Sequence, residues 1–299
     1  MVDELNRQAT VGDMRFGAAR SRRLLVDTVR ALGPFSEATT VIGAHAVHVW
    51  VEKAWGTTDM EATRDGDIVL NPVFVTDDPK LLDLMASVGI TPALEDRPGI
   101  YGFAEEAHLD WRQRTTVDLI VPEVYAGPGR RVARIAGQRN AASRAAGLEL
   151  AVWDRELTTL STIDEPVESV QVHVAGPAAL LVAKAHKVHE RMADAISRPH
   201  RIKPKDSGDV ALLMMVSDPV MVAQVLLEAV RDHSEIRQVV SSAAIWLTEM
   251  YGGTDTLPRR HAIESLVSRF DEAEVAESLD SWLSSFRDST LSLAEPRNP

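Results

Sequence analysis

Apolar positions in the first 175 residues alternate between helical stripes and short continuous runs. Apolar residues from Leu24 to Leu32 recur at helical spacing among arginines, which predicts an amphipathic helix over residues 14–32. Further helices are predicted at residues 44–54 and 79–88. Short apolar runs predict strands at residues 39–42, 67–70, 116–121, 148–153 and 169–174. Strands that interleave with helices indicate an α/β layer.

The pattern changes after Gly176-Pro177. Beyond this break the apolar periodicity is helical throughout, with Pro, Gly or polar residues between the segments. The predicted helices span residues 178–196, 207–216, 219–231, 235–250, 259–270 and 273–286. We therefore predict an α/β domain over residues 1–175 and a helical domain over residues 176–299.

Composition excludes several classes of protein. The chain has 299 residues, of which 45% are apolar and none is Cys, so disulfides, thiolate metal sites and a cysteine nucleophile are excluded. No apolar run is long enough to cross a membrane. The N-terminus lacks a basic region followed by an apolar core, which predicts a cytoplasmic protein with no membrane association. The six tryptophans are scattered and are expected mostly in the core.

The charge is acidic overall but basic in two places. A net charge of -12 argues against nucleic-acid binding over the whole surface. One basic cluster nevertheless runs from Arg130 to Arg144 and includes Arg131 and Arg134, and a second runs from Lys184 to Lys205. Each cluster is either a solvated face or part of a basic cleft.

Two carboxylates one residue apart carry the sharpest chemical signal. Asp65 and Asp67 stand at the start of a predicted strand, so their side chains project to the same side. Magnesium prefers oxygen ligands, and two carboxylates together with phosphate oxygens supply them. The alternative is an ordinary surface turn, because such pairs are common there.

Two further features favour the metal interpretation. Gly43 follows a strand and begins a helix, an arrangement whose free backbone N–H groups favour a phosphate. Asp118 lies inside an otherwise apolar strand, where an ionised carboxylate requires a partner or a metal. A carboxylate that caps a neighbouring loop is the alternative for Asp118. Three carboxylates beside a glycine turn can hold two magnesium ions and align a triphosphate.

Basic residues of the second region also follow a helical pattern. Lys184, Lys187 and Arg191 are spaced i, i+3 and i+7, so they share one helix face that suits phosphates. Asp206 is expected to cap the next helix, and Asp209 to turn towards Lys184. The alternative for Lys184 is a surface lysine with its stem packed against the helix.

These motifs together resemble a known family. Gly43-Ala44, Thr63-x-Asp65-x-Asp67 and Asp118 are similar to the polymerase-β-type nucleotidyltransferase pattern. The order Lys184, then Arg201-x-x-x-Lys205-Asp206-x-x-Asp209, resembles the AbiEii-like nucleotidyltransferase toxins of bacterial toxin–antitoxin systems, including the MenT type. The resemblance covers about residues 38–216. It implies an α/β (α+β) nucleotidyltransferase core whose active-site cleft is completed by the helical C-terminal region.

The resemblance also implies an activity and its residues. The enzyme would be magnesium-dependent, adding nucleotides from an NTP to RNA, with the tRNA 3′ end as the leading acceptor. Translation would stop unless a cognate antitoxin intervened. The implied catalytic residues are Asp65, Asp67, Asp118, Lys184 and Asp209, and the three residues Asp65, Asp67 and Asp118 hold the metal. The implied nucleotide-binding residues are Gly43, Ala44, Thr63, Lys184, Lys187 and Lys205, and the acceptor-binding residues are Arg130, Arg131, Arg134 and Arg201.

One departure from the family pattern keeps other functions open. The family turn is usually Gly-Gly or Gly-Ser, whereas Gly43 is followed by Ala44, which lacks a hydroxyl for the triphosphate. A small hydroxylated molecule, as in antibiotic nucleotidyltransferases, is the alternative acceptor, although the basic clusters favour RNA. A noncatalytic module that binds a nucleotide or a protein partner is the alternative from another class.

Overall fold

The computed structural model describes the backbone of residues 2–56 and 63–294, and the side chains of residues 17–56 and 63–290. The chain divides into two units, each described here by itself. The first unit draws on Met1–His48, Thr57–Ala145 and Arg155–Ala175. The second unit draws on Val49–Gly56, Ala146–Asp154 and Gly176–Pro299.

A mixed sheet forms the centre of the first unit. Within the described residues its eight strands are β1 (Thr39–Ile42), β2 (Asp65–Leu70), β3 (Ile90–Pro92), β4 (Ile100–Phe103), β5 (Thr116–Pro122), β6 (Ser143–Ala145), β7 (Arg155–Ser161) and β8 (Ser169–Ala175). Their order is β3-β4-β5-β2-β1-β8-β7, and β6 pairs with β5. The β2–β5, β1–β8 and β5–β6 pairs are parallel, and the other pairs are antiparallel.

The first unit also contains helices, of which α1 covers one face of this sheet. They are α1 (Val2–Ala31), the first part of α2 (Gly43–Trp55) and α3 (Leu81–Ser87). The apolar stripe of α1 packs on the sheet, since Leu24 and Leu25 are fully buried. A Cβ added at Gly66 of β2 would lie 3.2 Å from Leu25, so a side chain at this position would press on the helix. The face of β2 that carries Gly66 is therefore the one that α1 covers.

The second unit is helical. Apart from the end of α2, it contains α4 (Pro177–Ala193), α5 (Pro204–Val216), α6 (Pro219–Asp232), α7 (Arg237–Gly252), α8 (Leu257–Leu266) and α9 (Glu272–Ala294). Helices α5 and α8 approach closely at Gly208, where a Cβ would lie 2.1 Å from the Ser265 hydroxyl oxygen. No single helix of the described residues is long and apolar enough to cross a membrane, although the bent pair Pro199–Val216 and Pro219–Asp232 passes by length and composition.

Most of the predicted elements are present, and the chain is a mixed α/β protein as predicted. The strand predicted at residues 148–153 is wrong, because Glu149–Val152 is a short 3-10 helix whose residues are all buried. A short apolar run cannot by itself separate a buried strand from a buried helical turn. Sequence reasoning missed β3, β4, β6 and β7, and it placed the start of β2 two residues late, at Asp67 instead of Asp65.

Candidate active site

Three carboxylates share one face of the sheet in the first unit. Asp67 of β2 and Asp118 of β5 are register partners on neighbouring parallel strands, so their side chains stand side by side. Asp65 precedes Asp67 by two residues and therefore points to the same face. The intervening Gly66 points to the opposite face, which α1 covers. The three predicted acids therefore lie on the face of the sheet that α1 does not cover.

The turn between β1 and α2 lies directly against one of these acids. β1 ends at Ile42, the register partner of Asp67, and Gly43 then starts α2. Gly43 has a left-handed φ of 68°, and a Cβ there would lie 2.1 Å from the Asp67 Oδ2 atom. Glycine is therefore required both by the conformation and by the close approach. The N–H groups of the first turn of α2, beginning at Gly43 and the buried Ala44, start beside the carboxylate.

A buried polar cluster fixes this first turn to α1. His45 is fully buried, with its Nε2 atom 2.8 Å from the Ser21 hydroxyl and its Nδ1 atom 3.0 Å from the Arg22 Nε atom. Arg22 donates to the Nδ1 atom, so His45 accepts at that position, and its Nε2 atom shares a second hydrogen bond with the Ser21 hydroxyl. The sequence analysis did not find this cluster, since its members are separated in the chain and only the fold brings them together.

Thr63 orients one of the carboxylates. Its side chain is buried, and its hydroxyl donates a hydrogen bond of 2.6 Å to the Asp65 Oδ1 atom. The hydroxyl is thus committed to Asp65, and the predicted contact of Thr63 with a nucleotide remains a prediction.

The acids suit magnesium by their chemistry and their common face. Among the described residues, no group of three or more His, Asp and Glu side chains is placed where it could hold a metal ion, so the three acids do not form a protein cage by themselves. Magnesium is usually held by one or two carboxylates together with water and substrate phosphates, so a complete protein cage is not needed. The paired Asp67 and Asp118, with Asp65 beside them, match that donor set.

In the second unit, Lys184 and Asp209 form a buried ion pair between α4 and α5. Lys184 is 5% exposed and Asp209 is 3% exposed, and the lysine ammonium donates directly to the Asp209 carboxylate. The alternative of a surface lysine is therefore excluded. The spacing had predicted that Asp209 turns towards Lys184.

Asp206 has a different role from the one predicted. It was expected to cap α5, but Lys203 occupies the cap position and no side chain caps this helix. The buried Asp206 carboxylate instead pairs with Lys187 at 3.2 Å and with Arg191. The three basic residues of the predicted helix face thus meet two buried acids. Lys205 lies in the first turn of α5, half-buried, and its contact with a nucleotide remains a prediction.

The predicted acceptor arginines fall into two groups. Arg130, Arg131 and Arg134 are exposed in the first unit, and no described carboxylate pairs with them. Arg201, in the second unit, hydrogen-bonds to Glu190 and Asp194, and these bonds raise its pKa. Its charge is offset locally, which weakens the case for Arg201 as an acceptor contact.

No protein-family model matches the chain, and no curated protein or solved structure matches it. The functional assignment therefore depends on the residues and geometry described above.

Proposed function

We propose that the chain is a nucleotidyltransferase that moves a nucleotide from an NTP to a hydroxyl group of RNA. The observation that supports this proposal is the pairing of Asp67 with Asp118 beside the Gly43 turn. Carboxylates on one sheet face suit a metal-bound triphosphate, and an adjoining helix start suits its phosphates. No other cluster of described residues in the first unit combines these two features.

In the proposed reaction, the acceptor oxygen forms a bond to the α-phosphorus of the NTP. The bond between that phosphorus and the bridging oxygen breaks, and pyrophosphate leaves. Asp118 accepts the proton of the acceptor hydroxyl, while the N–H groups at Gly43 and Ala44 bind the triphosphate. Magnesium held by Asp65, Asp67 and Asp118 would supply charge neutralisation of the triphosphate. Catalysis of this kind depends mainly on positioning and electrostatics.

In the second unit, the proposal concerns the Lys184–Asp209 pair. The family resemblance gives Lys184 a role in binding the triphosphate and Asp209 a role in orienting Lys184. Their buried ion pair supports the orienting role, because a lysine fixed by a carboxylate presents its remaining N–H groups in defined directions.

RNA is the proposed acceptor class, with the tRNA 3′ end as the leading candidate. Arg130, Arg131 and Arg134 are exposed and pair with no carboxylate of the described residues, which favours a polyanionic acceptor over a small hydroxylated molecule. The biological outcome would be that of a toxin: cytoplasmic tRNA is blocked, translation stops, and a cognate antitoxin restrains the enzyme.

The test is a transfer assay with purified protein, magnesium, each labelled NTP and total RNA. We expect label in RNA and release of pyrophosphate, both reduced at least about 100-fold by Asp67→Asn or Asp118→Asn. Asp83→Asn is the matched control, because Asp83 is an exposed carboxylate on α3 of the same unit. Transfer that survives both site substitutions contradicts the assignment. Label that enters only small molecules supports the antibiotic-type alternative, and NTP binding without transfer supports a noncatalytic module.

A further inference from the structure

An exposed tryptophan in the first unit has two arginines close to its ring. Trp111 is 43% exposed, although the tryptophans were expected mostly in the core. The Arg97 and Arg112 guanidinium carbons each lie 5.5 Å from the centre of its ring. An exposed aromatic ring with flanking guanidinium groups is a surface on which a nucleic-acid base can stack.

The segment that carries Trp111 is held mainly by the side chain of Arg114. The Arg114 guanidinium donates to three carbonyl groups, those of Ala93, Ala107 and Leu109. In addition, the Asp110 carboxylate accepts the Arg112 N–H at 2.9 Å. Trp111 is therefore presented by an ordered loop, which lowers the entropic cost of binding.

A pocket of about 630 Å³ adjoins this segment. Its lining includes Leu109 and Gln113, which flank Trp111 in the chain, and also Arg64 and Thr115. Arg64 and Thr115 directly precede Asp65 and Thr116, which are register partners on β2 and β5. The pocket therefore lies where β2 and β5 begin, on the side of the sheet that α1 covers, because Gly17 and Arg20 of α1 line it together with Glu105 and Glu106. Its volume lies in the range of pockets that hold small organic ligands, such as one nucleotide.

The cations of this surface are available to an anion. Arg64, Arg97 and Arg112 are exposed, and none pairs with a carboxylate in the described part of the chain. Arg20, which also lines the pocket, differs because Glu105 and Glu106 neutralise it. The chain as a whole is acidic, with a net charge of -12, whereas these three arginines form a locally basic surface that favours phosphates.

We propose that Trp111, Arg97 and Arg112, together with the adjoining pocket, bind the single-stranded end of the RNA acceptor. One base stacks on Trp111, the arginines contact phosphates, and the pocket takes a neighbouring nucleotide beside Arg64. This surface differs from the arginines at 130, 131 and 134. The choice of RNA rests on the proposed function, whereas the binding itself can be measured without any transfer.

The experiment measures the fluorescence anisotropy of a labelled, unstructured eight-nucleotide RNA, about the length that one binding surface covers. NTP and magnesium are omitted, so a failure of catalysis does not affect the result. We expect Trp111→Ala to weaken binding about 10-fold and Trp111→Phe to restore most of it, because stacking needs an aromatic face. The control is Trp153→Ala, which removes a comparably exposed tryptophan, 49% exposed, from the second unit.

A second set of measurements tests the two arginines and asks whether the surface binds RNA phosphates or the phosphates of a free nucleotide. Replacing Arg97 and Arg112 together by Gln is expected to reduce the magnitude of the slope of log affinity against log salt concentration by about 1.4. This is the value for the loss of two phosphate contacts to a single strand, at about 0.7 for each contact. ATP without magnesium is not expected to displace the RNA. Equal binding by the wild type, Trp111→Ala and the double variant overturns the proposal. Preferential binding of duplex RNA or efficient displacement of the RNA by ATP would also overturn the proposal. A complete lack of RNA binding would overturn it as well and would point to a protein partner for this surface.

Discussion

Gly43 and Asp67 approach so closely that no side chain fits between them. A Cβ at Gly43 would lie 2.1 Å from the Oδ2 atom and 2.9 Å from the Cγ atom of Asp67. The same glycine has a φ of 68°, which disfavours any other residue. The turn and the carboxylate therefore depend on each other, and this dependence can be measured apart from any activity.

Gly43→Ala is expected to destabilise the protein by more than its backbone conformation requires. The left-handed φ alone costs about 1–2 kcal/mol, and displacement of the Asp67 carboxylate adds to that. Gly89→Ala is the matched control, because Gly89 has a φ of 75° and no atom within 4 Å of its added Cβ. Urea unfolding of both variants gives the two free energies.

The double variant Gly43→Ala/Asp67→Ala isolates the contact. Because Asp67→Ala removes the two closest atoms and leaves only the Asp67 Cβ, 3.1 Å from the added Cβ, the cost of Gly43→Ala should fall most of the way to that of Gly89→Ala in this background. Equal costs for Gly43→Ala and Gly89→Ala in the wild-type background would show that the close approach is unimportant.

The buried Lys184–Asp209 pair leads to a prediction about stability. Lys184→Met leaves the buried Asp209 carboxylate without its ammonium partner, which costs about 3–5 kcal/mol. Adding Asp209→Leu removes the unpaired charge and should restore most of that loss. Chemical denaturation of the two single variants and the double variant checks this. Strictly additive effects would contradict the ion pair.

A loss of transfer by Lys184→Met is informative only at a temperature where the variant is folded.

The sequence predicts well what depends on neighbouring residues. β1 and the helical pattern of the second unit follow from apolar spacing, and the common face of Asp65 and Asp67 follows from their separation. The inward direction of Asp209 was also predicted, although its contact with Lys184 joins two different helices and so depends on how they pack.

The sequence fails where distant segments decide the structure. β7 has the sequence RELTTLS, with little apolar character, and it is a strand because it pairs with β8 along seven residues. The cap predicted at Asp206 was wrong because Lys187 and Arg191, a helix away, bind that carboxylate. The exposure of Trp111 was not predicted, because the scatter of the six tryptophans along the chain carries no information about which of them are exposed.

Asp154 gives the protein a predictable pH dependence. This side chain accepts the N–H of Ala179 at 2.7 Å, at the start of α4. Burial raises the pKa of Asp154, while hydrogen bonds from the Ala178 and Ala179 N–H groups oppose the rise. The folded state therefore holds this proton more tightly than the unfolded state does. The contribution of Asp154 to stability is present below its usual pKa and is lost as pH rises through the raised pKa.

Asp154→Asn tests this sign, because the amide oxygen can still accept the Ala179 N–H but does not titrate. Urea midpoints of the wild type and the variant are compared from pH 4 upwards, over the range in which a raised Asp154 would ionise. The wild type should lose stability relative to the variant as pH rises. A difference that is constant over this range would contradict a raised pKa for Asp154.

The last prediction concerns Arg114, whose three carbonyl acceptors fix the segment that presents Trp111. A lysine ammonium cannot reach three carbonyl groups in the fixed geometry of a guanidinium, so Arg114→Lys should lose most of these bonds. Hydrogen exchange at residues 107–113 is expected to become faster, by at least about 10-fold, while exchange in β2 and β5 is unchanged. Arg112→Lys is the matched control, since Arg112 is exposed, and among the described residues its guanidinium lies near the Trp111 ring and forms no hydrogen bond or ion pair. Unchanged exchange in the Arg114→Lys segment would mean that the loop is ordered by its packing. Faster exchange together with weaker RNA binding would link the order of this loop to the stacking surface.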